Sequence, residues 1–547
     1  MSSSMEPHCP HCLPLRELPH TTKLFSTFVD DFPRISRYFS HPPTEAGILA
    51  AAREVQLAPA SRAAVVEVLR EQNQRLDPKS TLDPATARNL DRLAAGAVAV
   101  VTGQQVGLFS GPAYSIYKAV SALRWADAIT AGGTEAVPFF WLATEDHDVA
   151  EVNHSDWNTR SGLAHYELPL RKEDEGHRVG EIRLSESVKP LVEKSAESLE
   201  GPYGEEVARA LRESYTPADT YGSAFGKLMA RLLAGRGIIL IDPLDARLHR
   251  LAAGVYCRAV NEADSLRDAL LARSNELDRT GYHAQVKVTR ETTLLFYNVN
   301  GRRQPLRRRN GNFTAGKISF TPHELCAAIE KNPEAFTANV LLRPVIQDTI
   351  LPTAAYIGGP AEIAYMAQAQ VAYKTLLGRM PAILPRAGFT LVEPAIARLL
   401  TKYGLEIRDV FRGRQHLRSK MEQHSLPRSL ARRFELDEKA LRRILGAYSK
   451  PLERLDRTLL GALDAAQKKI LYQFLKLKRK GGRAENFRTG VLDRHERLIL
   501  EALIPHRMPQ ERTLCALPFL AAYGSDLFDT LARDINLAAP MHHVLSL

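Results

Sequence analysis

Cysteine is scarce. Five in 547 residues are too few for a disulfide framework in a chain this long, and Cys257, Cys326 and Cys515 stand alone, as suits a reducing compartment. The other two, Cys9 and Cys12, lie in HCPHC (residues 8–12), a CxxC spacing interleaved with His8 and His11. No second such pair follows, so zinc is not expected there; residues 1–13 read as a loose N-terminal extension. Long apolar runs are missing too. The longest, AAGAVAVV and VPFFWLA, fall far short of the roughly 20 residues that cross a bilayer, and no basic-then-apolar leader opens the chain. The expectation is a soluble, cytoplasmic protein with no membrane partner.

The charge is uneven. The net of +11 is concentrated in residues 412–480, which hold 19 Lys and Arg against 7 Asp and Glu, so the remainder of the chain is near neutral. Such a segment could meet nucleic acid or an anionic ligand, although a solvated Lys- and Arg-rich helical face is the plainer reading.

At this length two or three structural units are expected. AVAVVTG (97–103), AVPFFWLAT (136–144), IILIDP (238–243), AYIGGP (355–360) and PAILPR (381–386) are short apolar runs. Most lead through a Gly or Pro turn into a helical pattern. That rhythm predicts an α/β fold, a Rossmann-like parallel sheet covered by helices, over residues 14–404. Two stretches break it and read as insertions. One spans about 155–235; the other, 284–321, alternates with period two around an Asn300-Gly301 turn. From 405 to 505 a helical coiled-coil arm is expected. Leu441, Leu445, Tyr448, Leu452, Leu455, Leu459, Leu463, Ala466, Ile470, Phe474 and Leu477 recur at spacings of three and four. Pro451 starts or kinks a helix there, and Gly481-Gly482 is expected to turn the chain into a second, antiparallel helix through about Leu503. Such an arm suits a homodimer interface. Residues 506–547 are expected to return to the core.

The chemistry-bearing stretches sit at strand ends. VTGQQVGLFSGPAYSIYKA places Gly103, Gly107 and Gly111 four apart, which is neither GxGxxG nor a P-loop. It nevertheless follows a strand and opens a helix, a natural anion site. Gln104, Gln105, Ser110 and Lys118 are its polar candidates. VPFFWLATEDHDVAEVNH ends a strand in Glu145, Asp146, His147, Asp148, Asn153 and His154. Carboxylates with imidazole there could hold Mg²⁺ through water, act as general base or orient an amine. The seven-residue spacing of His147 and His154 is foreign to zinc. In YIGGPAEIAY, Gly358 and Gly359 let backbone approach a ligand, with Tyr356 and Glu362 alongside; in PRAGFT, Arg386 and Thr390 could reach a carboxylate or phosphate. Ligands of such sheets bind beyond the carboxyl ends of the strands at a switch point, where these loops should meet.

Together, TGQQVGLFSGP, EDHD with EVNH, YIGGPAEIAY, MPAILPR and PQER closely resemble the cysteine-adding enzymes of bacillithiol biosynthesis, the BshC family, from about residue 14 to the C terminus. The resemblance implies a Rossmann-type core with connecting-peptide insertions, a dimerising coiled-coil arm, and a ligase joining cysteine to glucosaminyl-malate by an amide bond. A carboxylate is a poor electrophile, so activation by ATP with Mg²⁺ is expected, taken here to fall on the malyl carboxylate, with cysteine's amine attacking. On this reading the TGQQ loop holds phosphate or carboxylate, Asp146, His147 and Asp148 are catalytic with His147 as general base, and Arg386 clamps the malyl carboxylate. The HIGH-like and KMSKS-like signatures of class I adenylate-forming enzymes are absent; RSKMEQ at 418–423 is a faint echo. Two alternatives stand beside it: another nucleotidyl-transfer or amide-forming enzyme on the same core, and a binder of a tRNA-like nucleic acid using the basic arm. The few aromatics of that arm fall mostly on the heptad seam, so nucleic acid is not expected.

Overall fold

The computed structural model describes residues 12–77, 80–424 and 426–547. Of HCPHC only Cys12 falls among them, where it opens a short strand, Cys12–Pro14, paired antiparallel with Met541 to His543. The chain forms two compact units. The first runs to Phe389 and resumes at Glu511–His543; the second comprises Thr390–Gln510 and Val544–Leu547. The helix Pro394–Tyr403, placed with the core on sequence grounds, falls in the second unit.

The first unit is built on a five-stranded parallel sheet, in the spatial order Ala382–Pro385, Thr353–Gly358, Val98–Gln104, Ala136–Leu142, Ile239–Ile241. The five apolar runs picked out in the sequence are its strands. Both faces are buried, which explains why the runs are continuously apolar. Ala99, Val101, Phe139, Trp141 and Ile239 pack into one core, while Val98, Val100, Ala136 and Leu384 pack into another. The chain winds outward from Val98–Gln104 in one direction, then returns to lay Thr353–Gly358 on its other side. The carboxyl ends of these two strands therefore flank the switch point.

The 284–321 insertion folds as an antiparallel sheet of five strands, completed by Phe336–Ala338 from beyond the insertion. Asn300 and Gly301, with φ of 51° and 81°, make the expected two-residue turn between Thr292–Val299 and Arg302–Arg309. In the first insertion, HYELPL contributes to a hairpin (His154–Thr159 with Gly162–Glu167), whereas RVGEIRL forms a single 3₁₀ turn.

The second unit is mostly helical. Its expected turn at Gly481-Gly482 does not form: one helix, Leu459–Thr489, runs through both glycines. The chain folds back earlier, at Asp456–Thr458, where Asp456 accepts hydrogen bonds from the Thr458 backbone and hydroxyl and ends the helix Ser449–Leu455. Pro451 sits in the first turn of that short helix, where its missing N–H costs nothing. The resulting hairpin pairs Phe434 with Phe474, ring centroids 5.2 Å apart, and Glu422 with Arg483 at 3.0 Å. Gly481 serves close packing, since a Cβ there would lie 3.0 Å from the Leu426 side chain. The long helix ends at Gly490, whose φ of 61° favours glycine. The three-and-four spacing thus spans two helices folded on each other. Leu441, Leu445 and Phe474 are half-buried, while Tyr448, Leu455 and Leu477 stay exposed. Among the described residues no helix is long and apolar enough to cross a membrane.

Candidate active site

A cavity of about 590 Å³ opens at the switch point of the first unit. Its floor is the end of the strand Val98–Gln104, with the helix Tyr114–Ala131 behind. At Gly103 a Cβ would lie 2.7 Å from the Trp141 carbonyl oxygen, so only glycine allows the two strands to close there. Lys118, from the second turn of that helix, is buried beneath the loop. Its ammonium donates to Gly103 O at 2.7 Å and Gln104 Oε1 at 2.9 Å and meets Glu362 Oε2 at 2.5 Å. Glu362 is anchored by the Tyr356 hydroxyl at 2.6 Å and the Gly359 N–H at 2.7 Å. Burial pulls the Lys118 ammonium below its ordinary range, with Glu362 opposing. Burial alone would push the Glu362 carboxyl up, but Lys118, Tyr356 and the Gly359 N–H outweigh it. The two form an ion pair with its charge already balanced.

Arg343 on the next wall is different. Its guanidinium donates to Gln347 Oε1 at 3.1 Å and to the hydroxyls of Tyr356 and Tyr365, each at 3.2 Å. Those are neutral acceptors. A guanidinium has five N–H donors; two remain, and the nearby carboxylate of Glu362 is committed to Lys118. Lys287, Arg307 and Arg512 also line the cavity, and among the described residues none of them forms an ion pair. The cavity therefore carries uncompensated positive charge.

The opposite wall is the TEDHD loop. Asp146 accepts from Gln105 Nε2 at 2.8 Å and from the His147 backbone at 2.7 Å; Gln105 also donates to Glu151 at 2.6 Å. Burial would raise the Asp146 carboxyl, but hydrogen bonds from His147 and Gln105 and the charge of Arg303 hold it well below the usual carboxylate range. Beside it, Glu145 lines the cavity and is 8% exposed. Arg303 reaches in from the inserted sheet. It is bonded to Thr337 and the Ala338 carbonyl, and its guanidinium stacks 3.9 Å from the Phe296 ring centroid.

His147 Nδ1 lies 2.9 Å from Arg303 Nη1 and 3.5 Å from Asp146 Oδ1. The two contacts demand opposite tautomers. Arginine can only donate, so the shorter contact makes Nδ1 the acceptor and leaves the proton on Nε2. The one basic lone pair of the ring is then occupied, and His147 does not line the cavity.

Two family models cover the chain. "Bacillithiol biosynthesis BshC, N-terminal Rossmann-like domain" matches residues 11–387, and "Bacillithiol biosynthesis BshC, C-terminal coiled-coil domain" matches residues 389–547. The chain belongs to the BshC family. A relative from Koribacter versatilis is 41% identical, covering 98% of this chain and 99% of its own length; one from Solibacter usitatus is 39% identical over the same shares. A third, from Chlorobaculum tepidum, is 33% identical over 88% of each chain. All three carry the name "Putative cysteine ligase BshC".

In this BshC chain the cavity gathers Gly103, Gln104, Gln105, Lys118, Glu145, Asp146, Tyr356, Gly359, Glu362 and Arg386 from the residues proposed on sequence. The others lie off it. Gly107, Ser110 and Gly111 are buried in the GLFSGP turn. Phe109 and Ser110 take left-handed φ of 54° and 73° there, held by the Tyr215 hydroxyl on the Phe109 N–H. The anion site expected at the start of the following helix is filled by the chain itself, since the Ala113 and Ser115 N–H groups bond Leu514 O and Pro112 O. Asn153 donates to Glu167 and the Leu168 carbonyl, holding the neighbouring hairpin, and His154 meets Asn153 Oδ1 at 3.3 Å. Asp148 is exposed, Gly358 lies behind the wall, and Thr390 belongs to the second unit. Arg386, expected as a carboxylate clamp, already has its carboxylate: Glu511 takes both its terminal nitrogens at 2.6 and 2.9 Å.

Arg303, Arg307, Arg343 and Tyr365 escaped the sequence reading. The first two had a signal, because Arg303, Pro305 and Arg307 alternate along one strand and all line the cavity. Among the described residues no three His, Cys, Asp or Glu side chains gather in a way that could hold a metal.

Proposed function

We propose that the chain is a cytoplasmic cysteine ligase of bacillithiol synthesis, joining L-cysteine to glucosaminyl-malate through an amide with ATP as the activating cosubstrate. The observation that carries this reading is the division of the cavity. One wall presents Arg343 with unused donors, and the other presents Glu145 and Asp146. The reactants have matching groups: glucosaminyl-malate offers two carboxylates and one amine, cysteine one of each.

Two amides could form from them, and the cavity favours the one opposite to the sequence expectation. A carboxylate held by a guanidinium is stabilised as an anion and is harder to convert into an electrophile. The malyl carboxylates therefore suit the cationic wall as recognition groups. The sugar's ammonium suits the acidic wall as the nucleophile's resting form, and the cysteine carboxyl is the one activated. ATP, when bound, supplies the phosphoryl or adenylyl group that activates it, and Mg²⁺ screens the phosphates. Lys287, Arg307 and Arg512 are the residues suited to hold phosphate oxygens. The test runs two reactions, one with ¹⁸O in the carboxyl of cysteine and one with ¹⁸O in the malyl carboxyls of glucosaminyl-malate. Label should leave with phosphate or AMP in the first and stay in the product in the second; label leaving from the malyl carboxyl instead restores the other direction.

We further propose that the second unit pairs with a second copy. The hairpin leaves Leu436, Ile444, Tyr448 and Leu455 more than half exposed, at 57, 56, 55 and 77%, an apolar row that a monomer rarely shows to water.

A further inference from the structure

Behind the acidic wall lies a histidine that the reading above leaves idle. His249 stands one turn into the helix Ala246–Asn261, which follows the sheet's edge strand Ile239–Ile241. It is 3% exposed, and neither ring nitrogen makes a hydrogen bond. Its Nε2 lies 3.2 Å from Glu145 Oε1, close enough for an ion pair but off the hydrogen-bond axis. A buried imidazole with unsatisfied nitrogens is costly. Here it is set against a carboxylate that opens on the cavity.

The proposed reaction sets a requirement of its own. An ammonium that becomes a secondary amide loses two protons, so one carboxylate does not suffice. We propose that His249 and Glu145 form a proton-accepting dyad for the attacking amine, with Glu145 facing the substrate and His249 the positioning residue behind it. Glu145 takes the first proton from the ammonium, freeing the lone pair that forms the C–N bond, and the leaving group of the activated carboxyl departs with the C–O electrons. Passing that proton to His249 Nε2 recharges Glu145, which then takes the second from the new nitrogen. Other titratable groups face Glu145: Arg303 from the inserted sheet, Tyr256 from the same helix as His249, and Asp242 from the strand end. Arg178 faces Arg303 and Tyr256 in turn. Arg303 sets a positive charge opposite Glu145.

The inference rests on the ligase reading, and its test separates the two. With full-length protein, His249→Leu should lower kcat about 100-fold, in line with general-base contributions, and displace the acid limb of the pH profile. KM for glucosaminyl-malate should stay within about twofold. His249→Gln, which keeps a polar amide where Nε2 stood but cannot take up a proton, should recover less than twofold of the loss, and a full recovery would overturn the dyad. An unchanged pH profile in His249→Leu, with the loss confined to thermal stability, overturns the dyad. Independently of any activity, the ring C2–H of His249 in ¹³C-histidine protein, assigned by its loss in His249→Leu, should titrate about one unit lower in Glu145→Gln, because an anionic neighbour is removed. No shift refutes the coupling even if the wild type proves an active ligase, while a shift without product sinks only the ligase reading.

Discussion

Replacing Arg386 with methionine separates a structural arginine from a recognising one. In the native chain Arg386 and Glu511 are 6% and 4% exposed and meet through two parallel contacts of 2.6 and 2.9 Å; the same carboxylate accepts the Phe389 N–H at 3.0 Å. Burial would push the Glu511 carboxyl up, and Arg386 is the main force holding it down. Removing the guanidinium leaves a buried carboxylate with a single backbone donor. Breaking a buried pair in this way costs about 3–5 kcal/mol. A unit of about 420 residues unfolds with an entropy near 0.9 kcal/mol/K, so its melting temperature should fall by about 4 °C. Adding Glu511→Gln removes the stranded charge and should return more than half of the loss. Scanning calorimetry of wild type, Arg386→Met, Glu511→Gln and the double variant gives the cycle. KM for glucosaminyl-malate should change less than threefold in Arg386→Met. A variant that melts within 1 °C of wild type yet shows a tenfold higher KM would refute the reasoning and make Arg386 the carboxylate clamp.

Four other perturbations test separate parts of the account. Arg343→Gln should raise KM for glucosaminyl-malate, and weaken the calorimetric affinity for malate alone, by roughly 10- to 100-fold, the worth of a hydrogen bond to a charged group, with kcat within about threefold. Gly103→Ala forces a Cβ to 2.7 Å from the Trp141 carbonyl and 2.8 Å from its Cβ; thermal stability and turnover should fall together. His542 is buried and neutral, its imidazole lowered to about 4 by desolvation. Between pH 6.5 and about 4 the unfolded chain therefore binds a proton that the folded one refuses, and stability drops as pH falls through that window by up to about 3 kcal/mol. Urea midpoints at pH 7 and 5 should converge in His542→Gln. Ile444→Glu with Leu477→Glu, both more than half exposed on the hairpin, should halve the sedimenting mass and leave the melting of the first unit unchanged.

The sheet was legible because a strand buried on both faces must be apolar throughout, and five such runs, most followed by a glycine or proline turn, leave few alternatives. Local chemistry also carried the Asn300-Gly301 turn. Gly481-Gly482 misled because glycine serves two ends, turning a chain and letting helices approach, and only the packing of Leu426 decides between them. Half of the site was visible as polar loops at strand ends. The other half comes from an inserted sheet and from the helix Arg343–Ile350, whose place beside the switch point is a matter of tertiary folding. The roles given to Arg386 and His147 meet one obstacle. Each side chain had a partner remote in sequence, Glu511 and Arg303, that took up the group assigned to the substrate.

The most direct test of the central claim is reconstitution. Purified protein is incubated with glucosaminyl-malate, L-cysteine, ATP and Mg²⁺, and the products are followed by mass spectrometry, with calorimetry for binding. The expected product is a cysteinyl amide on the sugar nitrogen, with a free thiol and both malyl carboxylates intact. No amide, together with no binding of glucosaminyl-malate, would contradict it.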